Sequence, residues 1–299
     1  TWTSVTFASG DYVNNAEDEA AIDLVIITVG AEDDQVVTAT LNSANYQCTI
    51  SGNTCTASIT SAALKALTDG NSYTFSVAVS DTAGNAATAN TDESFTYDVT
   101  APTSTTAVES VDGTGNANDA DVVTITLDPS ETVGTPTCTF TDGIGAMEDT
   151  TVDYATVGGT DHHTAKVTVH NDDDDGAVGF SCTYADLAGN DIASAITVAT
   201  SGAVEIDNTH PSISSVTFDS GDYVNNAEDE SAINLVIVTS GAEDTETVTA
   251  TLNGADYTCD LTSNSCTASI SSAALKALTD GTSYTFSVTV SDTAGNAAT

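Results

Sequence analysis

One stretch of this chain occurs twice, and the repeat sets the main limit on how the chain can fold. Residues 4–88 align without a gap on residues 215–299, and 66 of the 85 aligned positions are identical. Sequences this similar adopt one fold, so the chain contains at least two copies of a single structural unit. The segment between the copies is more distant but carries the same short motifs. D-x-A-G-N begins at Asp81, Asp186 and Asp292, and D-x-T-x-P begins at Asp98 and Asp207.

These motifs divide the chain into units of about 100 residues, an ordinary size for a small domain. We therefore predict three domains, unit 1 over 1–102, unit 2 over 103–211 and unit 3 over 212–299. Unit 3 is a near-copy of unit 1, but the counterpart of Ser94–Asp98 is not in the sequence given. We expect unit 3 to expose a sheet edge, which either the continuing chain or another chain completes.

Alternating apolar and polar residues indicate short β-strands within each unit. Tyr73, Phe75 and Val77, for example, alternate with Thr and Ser. About seven such segments in 100 residues, separated by turn residues, are typical of a Greek-key sandwich. Asp69-Gly70 before Tyr73 is similar to the tyrosine corner of immunoglobulin-like domains. The sequence therefore predicts an all-β fold of tandem immunoglobulin-like Greek-key β-sandwiches.

The cysteines predict a disulfide framework. Their number is even, and none has the C-x-x-C spacing of zinc or redox sites. In an acidic, β-rich chain this predicts disulfides in an oxidising compartment, with six reduced, buried thiols as the alternative. We expect strands over 46–50 and 54–59 to form a hairpin closed by the first pair, and the middle pair to differ from the usual inter-sheet bond. The predicted pairs are Cys48–Cys55, Cys138–Cys182 and Cys259–Cys266.

The charge balance excludes several classes of partner. The chain has 44 Asp and Glu against three Lys and no Arg, which gives a net charge of -41. Proteins bind nucleic acids by neutralising phosphates with Lys and Arg, and anionic membrane surfaces attract the same residues. We therefore predict no nucleic-acid partner and, since the longest apolar run is Leu24–Val29, no membrane insertion in this segment. Self-repulsion of this size favours a salty or calcium-rich exterior.

Catalysis is not expected. The few Lys offer no cation to stabilise an oxyanion, and neither G-x-S-x-G nor a phosphate-cradling loop occurs. Close carboxylate pairs, as in glycoside hydrolysis, are inevitable among 44 acidic residues. A further alternative is a secreted carbohydrate-active enzyme whose catalytic domain lies outside this segment. We predict no catalytic residue.

The motifs of units 1 and 3 occur in a particular order. D-Y-V-N-x-A-E stands near the start, L-x-D-G-x-x-Y late, then D-x-A-G-N and, in unit 1, D-x-T-x-P. This order resembles the immunoglobulin-like tandem repeats of giant secreted bacterial surface adhesins of the biofilm-associated type. Unit 2 shares only the D-x-A-G-N and linker motifs.

The resemblance implies an extracellular, cell-surface location and a role in attachment. It implies an extender, a rod whose partners are further immunoglobulin-like repeats of the same chain and which holds a binding tip away from the cell. Extracellular filaments and surface layers use similar modules. A self-assembling subunit that contacts identical chains, with strand donation between them, is therefore the alternative.

Acidic segments converge on both unit boundaries. In an immunoglobulin sandwich the first inter-strand loop, the loop before the penultimate strand and the C-terminal end lie together, facing the D-x-A-G-N loop of the next unit. Calcium binds six to eight oxygen ligands, and the resemblance also implies calcium at such junctions. We predict structural Ca2+ there, with solvated acidic surface as the alternative. The candidates are Glu17, Asp69, Asp98, Asp186 and Asn190 at the first boundary, and Asp112, Asp119, Asp121, Asp207, Asp292 and Asn296 at the second.

Within these sets we expect two shared ions. The first ion would join Glu17, Asp98 and Asp186. The second would join the other trio, Asp119, Asp207 and Asp292.

Overall fold

Burial alternates along the strands, as the sequence pattern predicts. The computed structural model describes residues 1–110, 113, 115–157 and 162–298. Leu24 and Ile26 are buried, while Asp23, on the opposite face of the same strand, is exposed. Helical structure in these residues is restricted to short turns. The all-β prediction is therefore confirmed. Asp112, one of the predicted calcium ligands, lies outside the described residues.

The strands of unit 1 form two sheets that face each other. One sheet has the order β1-β3-β6. The other sheet consists of two hydrogen-bonded parts, with the orders β5-β4-β8 and β7-β9-β2. The two parts are continuous because only Phe75 separates β7 from β8. The elements are β1 (Trp2–Phe7), β2 (Tyr12–Val13), a 3-10 turn (Glu17–Glu19), β3 (Ile22–Thr28), β4 (Val36–Leu41), β5 (Ala44–Thr49), β6 (Thr54–Ile59), α1 (Ser61–Leu64), β7 (Asn71–Thr74), β8 (Ser76–Ala78) and β9 (Ser94–Tyr97).

Unit 2 has the same two-sheet plan. The first sheet has the order β10-β12-β15-β14. The second contains β13-β17, and β16 just before β17 continues it to β18 and β11. The strands are β10 (Ser104–Ser110), β11 (Asn116–Ala117), β12 (Val122–Pro129), β13 (Thr137–Thr141), β14 (Asp153–Val157), β15 (His162–Thr168), β16 (Gly176–Ala177), β17 (Gly179–Thr183) and β18 (Glu205–Ile206).

Unit 3 repeats the strand pairing of unit 1 in part. Its sheets have the orders β19-β20-β23 and β22-β21-β24. In the described residues, the counterparts of β2 and β7, residues 223–224 and 282–285, are not formed as strands. The elements are β19 (Ser212–Phe218), β20 (Ile233–Ser240), β21 (Thr247–Leu252), β22 (Ala255–Asp260), β23 (Ser265–Ile270), α2 (Ser272–Lys276) and β24 (Ser287–Thr289).

The predicted tyrosine corner is present in units 1 and 3. The Tyr73 hydroxyl accepts a hydrogen bond from the Thr68 backbone N–H at 2.7 Å. In unit 3 the Tyr284 hydroxyl accepts one from the Thr279 N–H at 3.0 Å. This bond ties the start of a late strand to the loop before it, which is the arrangement of immunoglobulin-like sandwiches.

The three predicted disulfides are all formed. Cys138 and Cys182 are direct cross-strand partners on β13 and β17. This bond therefore lies within one sheet, as predicted, and not between the two sheets.

The predicted hairpin over 46–50 and 54–59 is wrong beyond its turn. Ser51 and Thr54 exchange two backbone hydrogen bonds around Gly52 and Asn53, which both have positive φ. Beyond this turn β5 pairs with β4, and β6 pairs with β3 in the opposite sheet. The difference follows burial: β6 buries alternate residues in the core from the sheet of β3, whereas β5 is largely exposed and lies at the edge of the opposite sheet. The Cys48–Cys55 disulfide consequently connects the two sheets.

Buried apolar residues form clusters along the chain. The clusters lie between residues 2 and 99, between 108 and 206, and between 213 and 298, the last being divided in two. The boundaries at 102 and 211 stay a prediction. Within the described residues, no helix is both long and apolar enough to cross a lipid bilayer.

Candidate metal centre

Each D-x-A-G-N motif forms the same closed turn. The Asp186 carboxylate accepts hydrogen bonds from the backbone N–H and from the side-chain amide of Asn190, both at 2.9 Å. The Asp292 carboxylate accepts the same two bonds from Asn296, at 2.8 and 3.0 Å. These four carboxylate oxygens are oriented by their own loop, so the motif presents a defined surface at the end of its sandwich.

This turn contacts the end of the preceding unit. The Asn190 side-chain amide donates a hydrogen bond to the Asp98 carbonyl oxygen at 2.8 Å. Asn296 donates the equivalent bond to the Asp207 carbonyl oxygen at 2.7 Å. Asn190 and Asn296 are buried in these contacts, whereas Asn85, their counterpart in unit 1, is exposed. The D-x-T-x-P and D-x-A-G-N motifs therefore meet in the same way at both boundaries.

The glycine of the motif permits a close approach. Gly189 has φ +91°, and a Cβ at this position would lie 3.2 Å from Nδ2 of Asn14 in unit 1. That same Asn14 amide donates a hydrogen bond to the Ala188 carbonyl oxygen at 2.9 Å. At the second boundary a Cβ on Gly295 would lie 3.3 Å from Nδ2 of Asn118. Any larger residue would combine backbone strain with a clash against the neighbouring unit.

Three carboxylates meet at the first boundary. Asp98, Glu131 and Asp186 each place an oxygen within 4.8 Å of the other two. Asp98 follows β9, Glu131 lies between β12 and β13, and Asp186 follows β17. Asp186 is buried and the other two are half-buried. In the part of the chain that the structure describes, this is the one group of three His, Cys, Asp or Glu side chains close enough to share a metal ion.

Burial and neighbouring negative charges both disfavour the charged forms of Asp98 and Glu131. Burial raises the pKa of Asp98, and the charges of Asp186 and Asp69 raise it further. Burial also raises the pKa of Glu131, with the charges of Asp98, Asp186 and Asp69 adding to the effect. Both shifts mean that the folded state disfavours the charged carboxylates, which a bound cation would reverse.

The second boundary carries negative charge at corresponding positions. Burial raises the pKa of Asp207, and the charges of Asp292, Asp175 and Glu243 raise it further. Glu243 lies between β20 and β21, the same loop that holds Glu131 in unit 2. Among the described residues, these carboxylates do not approach one another as closely as the trio at the first boundary.

Other predicted ligands accept hydrogen bonds from groups of their own unit instead. Glu17 accepts hydrogen bonds from the Asn14 backbone N–H at 3.1 Å and the Ser9 hydroxyl at 3.0 Å. Asp69 holds the Val99 N–H at 2.8 Å. The structure therefore does not bring Glu17 into the trio, although it does bring Asp98 and Asp186 together. In unit 2, Asp121 accepts from the Asn118 N–H at 3.0 Å and Asp119 from the Asn171 N–H at 3.1 Å.

Glu131 is the member of the trio that the sequence does not predict by motif. A usable signal exists in its position, because the loop between the second and third strands of an immunoglobulin sandwich shares an end with the loop that carries D-x-A-G-N. All three units place a glutamate in that loop: Glu32, Glu131 and Glu243.

In chelator, the contribution of Asp98 and Glu131 to the melting temperature should fall as the pH rises from about 4 to 7. A carboxylate whose folded-state pKa is raised binds more protons in the folded state, so its stabilising effect is lost as the pH rises through that pKa. Glu131→Gln should flatten the fall by a few degrees, measured by calorimetry. Glu32→Gln, in the matching but exposed loop of unit 1, is the control. Equal slopes of melting temperature against pH for the two variants would contradict the coupling between Glu131 and its neighbouring carboxylates.

The fold and its boundary contacts define a tandem array of immunoglobulin-like domains. No protein-family model matches the chain, and no curated protein sequence does. Among solved structures, the chain is similar to a Ca2+-stabilized, ice-binding adhesin of an Antarctic bacterium, with 22% identity, a TM-score of 0.50 and coverage of 99% of this chain and 72% of that one.

Two further similarities are weaker. One is to a 1.5-MDa bacterial ice-binding adhesin, with 20% identity, a TM-score of 0.49 and coverage of 98% and 93% of the two chains. The other is to fibronectin(III)-like modules of Clostridium thermocellum CbhA, with 14% identity, a TM-score of 0.34 and coverage of 68% and 93%. Only the first similarity is close enough to support the fold. The Antarctic adhesin is described by its binding of ice.

Proposed function

We propose that this chain is an extender segment of an extracellular cell-surface adhesin, of the biofilm-associated type, and that calcium stiffens its junctions. The observation that carries the proposal is the repeated contact between boundary motifs, in which Asn190 and Asn296 each donate a hydrogen bond to the carbonyl oxygen of the residue that follows the last strand of the preceding unit. Such contacts order a junction that a short linker alone would leave flexible. The disulfides are consistent with an oxidising, extracellular location.

The geometry of the trio fits calcium. Ca2+–oxygen distances of 2.3–2.6 Å place opposite ligands of one ion about 4.6–5.2 Å apart. The oxygens of Asp98, Glu131 and Asp186 lie within 4.8 Å of one another. Three carboxylates supply three to six oxygens, and backbone carbonyls or waters complete the shell. The similar Antarctic adhesin is described as Ca2+-stabilized, which supports the same choice of ion.

A shared ion would link two units. Asp98 belongs to unit 1, whereas Glu131 and Asp186 belong to unit 2, so the ion would replace repulsion across the boundary by attraction. Asp207, Glu243 and Asp292 occupy the corresponding positions between units 2 and 3, and we propose a second, weaker site there. Its weaker affinity follows from the looser spacing of its carboxylates.

Calcium should raise the melting temperature of the chain, and Glu131→Gln should remove most of the rise that comes from the first junction. Loss of one charged ligand should weaken binding at least about tenfold, and an ion bound only to the folded state stabilises by mass action. Isothermal titration and calorimetry at matched ionic strength measure both effects. Glu32→Gln should behave like the unmodified chain. Equal calcium responses in the two variants would assign the acidic clusters to solvated surface.

A second candidate function is a self-assembling subunit of an extracellular filament or surface layer. The observation that favours it is that β5 and β22 each lie at the edge of a sheet, where an unpaired strand can bind the strand of another chain. Sedimentation separates the two functions, because an extender stays monomeric as concentration rises and a filament subunit polymerises.

A further inference from the structure

The edge strand β5 of unit 1 carries no charged residue. It is the outermost strand of its sheet, and its sequence is Ala-Asn-Tyr-Gln-Cys-Thr. Proteins usually protect such an edge against other strands with charged residues, a proline or a bulge. β5 has none of these, and its register with β4 is unbroken over the whole strand. In a chain with 44 Asp and Glu, this uncharged edge is an exception.

Alternate residues of β5 direct their backbone groups outward. The Ile50 N–H, just after the strand, donates a hydrogen bond to the Gln35 carbonyl oxygen at 2.9 Å, on the side of β4. Because this direction alternates along a strand, Asn45, Gln47 and Thr49 direct their N–H and C=O groups away from β4. Within the described part of the chain, no strand lies on that side of β5. These backbone groups are therefore available to a further strand.

The other two units protect the corresponding edge. In unit 3 the edge strand β22 has Asp256 and Asp260 at the positions where β5 has Asn and Thr. In unit 2 the edge strand is β13, where the Tyr154 hydroxyl accepts a hydrogen bond from the Cys138 N–H at 2.7 Å and donates one to the Cys138 carbonyl oxygen at 3.3 Å. The adjacent edge strand of the opposite sheet differs by only one residue between β6 and β23. The contrast between the near-identical units 1 and 3 therefore lies in β5 and β22.

β5 is complementary to a second copy of itself. An antiparallel pairing centred on Gln47 sets Asn45 opposite the partner's Thr49, and all outward backbone groups of both strands then find partners. Amide and hydroxyl side chains both donate and accept hydrogen bonds, so each opposite pair is compatible. In β22 the same register would set Asp256 opposite the partner's Asp260 at both ends, and like charges directly opposite are destabilising.

We propose that β5 pairs antiparallel with β5 of a second copy of this chain, and that this contact holds together chains from facing surfaces. The boundary contacts join loops at the ends of strands, so the strands run along the array of units. Antiparallel pairing therefore sets the two chains in opposite directions, like rods that extend toward each other from two cells. The resulting cohesion goes beyond the extender function and rests on it for the location of the chain at a cell surface.

A single contact of this kind is weak. Stable interfaces use about 20–30 residues on each partner, whereas β5 has six. Isolated chains therefore stay monomeric in dilute solution, as expected of an extender. Many chains held on one surface raise the effective concentration to the millimolar range, so that many weak contacts act together.

Amide exchange of the full chain, followed by NMR, locates the contact. The measurement is made in chelator, so that calcium plays no part, and at high salt, because both copies are acidic. At about 1 mM chain the amide protons of Asn45, Gln47 and Thr49 should exchange about twofold more slowly than in dilute solution, as expected when half of the chains are paired. The amide protons of Asp256 and Asp260 should exchange at an unchanged rate.

Beads that carry the full chain by one end test the cohesion. Their clustering in chelator is followed by light scattering. Asn45→Asp combined with Thr49→Asp should slow clustering at least about tenfold, because carboxylates then lie opposite each other at both ends of the pairing. Unit 3 folds with these residues at the same positions, so the variant should fold. Ser194→Asp combined with Thr197→Asp adds the same charge at exposed positions of unit 2 and should leave clustering unchanged.

Removal of the two charges from β22 is the converse test. Asp256→Asn combined with Asp260→Thr should speed clustering, because a second uncharged edge becomes available. Equal clustering of the β5 variant and its unit 2 control would overturn the proposal, as would amide protection that omits Asn45, Gln47 and Thr49. Absence of clustering by the unmodified chain would overturn the cohesion and leave the extender function in place, because scattering from monomers tests that function separately.

Discussion

Appending a copy of residues 89–102 after residue 299 should raise the melting temperature of unit 3 by roughly 15 °C. The copy supplies the counterparts of Phe95 and Tyr97, which are almost fully buried in unit 1. Burying an aromatic side chain stabilises by roughly 1.5–3 kcal/mol, and the new strand also satisfies the Asp229 carboxylate. Part of this gain is lost in ordering the added residues. A net gain of about 3 kcal/mol gives the stated shift for a domain of this size.

Differential scanning calorimetry of the extended and original chains measures this shift. The control is the same extension with Ser at the positions of Phe95 and Tyr97, which keeps the length and most of the backbone. It should leave the melting temperature nearly unchanged. If both extensions stabilise unit 3 equally, then burial of the two aromatic side chains is not the source of the gain in melting temperature.

Removing the Cys138–Cys182 disulfide should destabilise unit 2 by about 4 kcal/mol. The bond closes a loop with a sequence separation of 44, whereas Cys48–Cys55 closes one of only 7. In the loop-entropy model the shorter loop gives about 2.4 kcal/mol. The double variant Cys138→Ala with Cys182→Ala also loses two buried side chains, which adds to the effect.

Urea unfolding of this variant, compared with Cys48→Ala plus Cys55→Ala, measures the two losses. The first variant should shift the unfolding transition of unit 2, and the second should shift that of unit 1. The shift in unit 2 should be the larger of the two. Equal losses in the two variants would show that loop length does not govern the stability of these bonds.

Most of the fold can be predicted from the sequence because local patterns reflect local forces. Alternation at Tyr73, Phe75 and Val77 indicates which face of a strand is buried, and Asp69-Gly70 before Tyr73 indicates the tyrosine corner. The hairpin error at residues 46–59 arises where local information ends. A two-residue turn at Gly52 and Asn53 is compatible with strands that stay paired and with strands that diverge into two sheets. The pairing of β5 with β4 and of β6 with β3 decides between them, and the turn residues do not encode it.

The candidate site is predictable only in part, for a related reason. Asp98 and Asp186 belong to motifs that recur at each boundary, so their meeting follows from the order of the units. Glu17 lies equally near the boundary, but its carboxylate binds the N–H of Asn14 three residues away. Such short-range hydrogen bonds compete with contacts between units, and the outcome cannot be predicted from composition alone. Glu131 has no motif, and only its loop position identifies it.

The central claim is that calcium stiffens the junctions, and small-angle X-ray scattering of the full chain tests it most directly. With millimolar calcium we expect a straight particle of about 100 Å, from three units with strands of about 10 residues at about 3.3 Å each. In chelator at matched ionic strength we expect a bent and variable particle. Asp98→Ala should loosen only the first junction. Identical scattering curves and identical maximum dimensions with calcium and with chelator would contradict the claim.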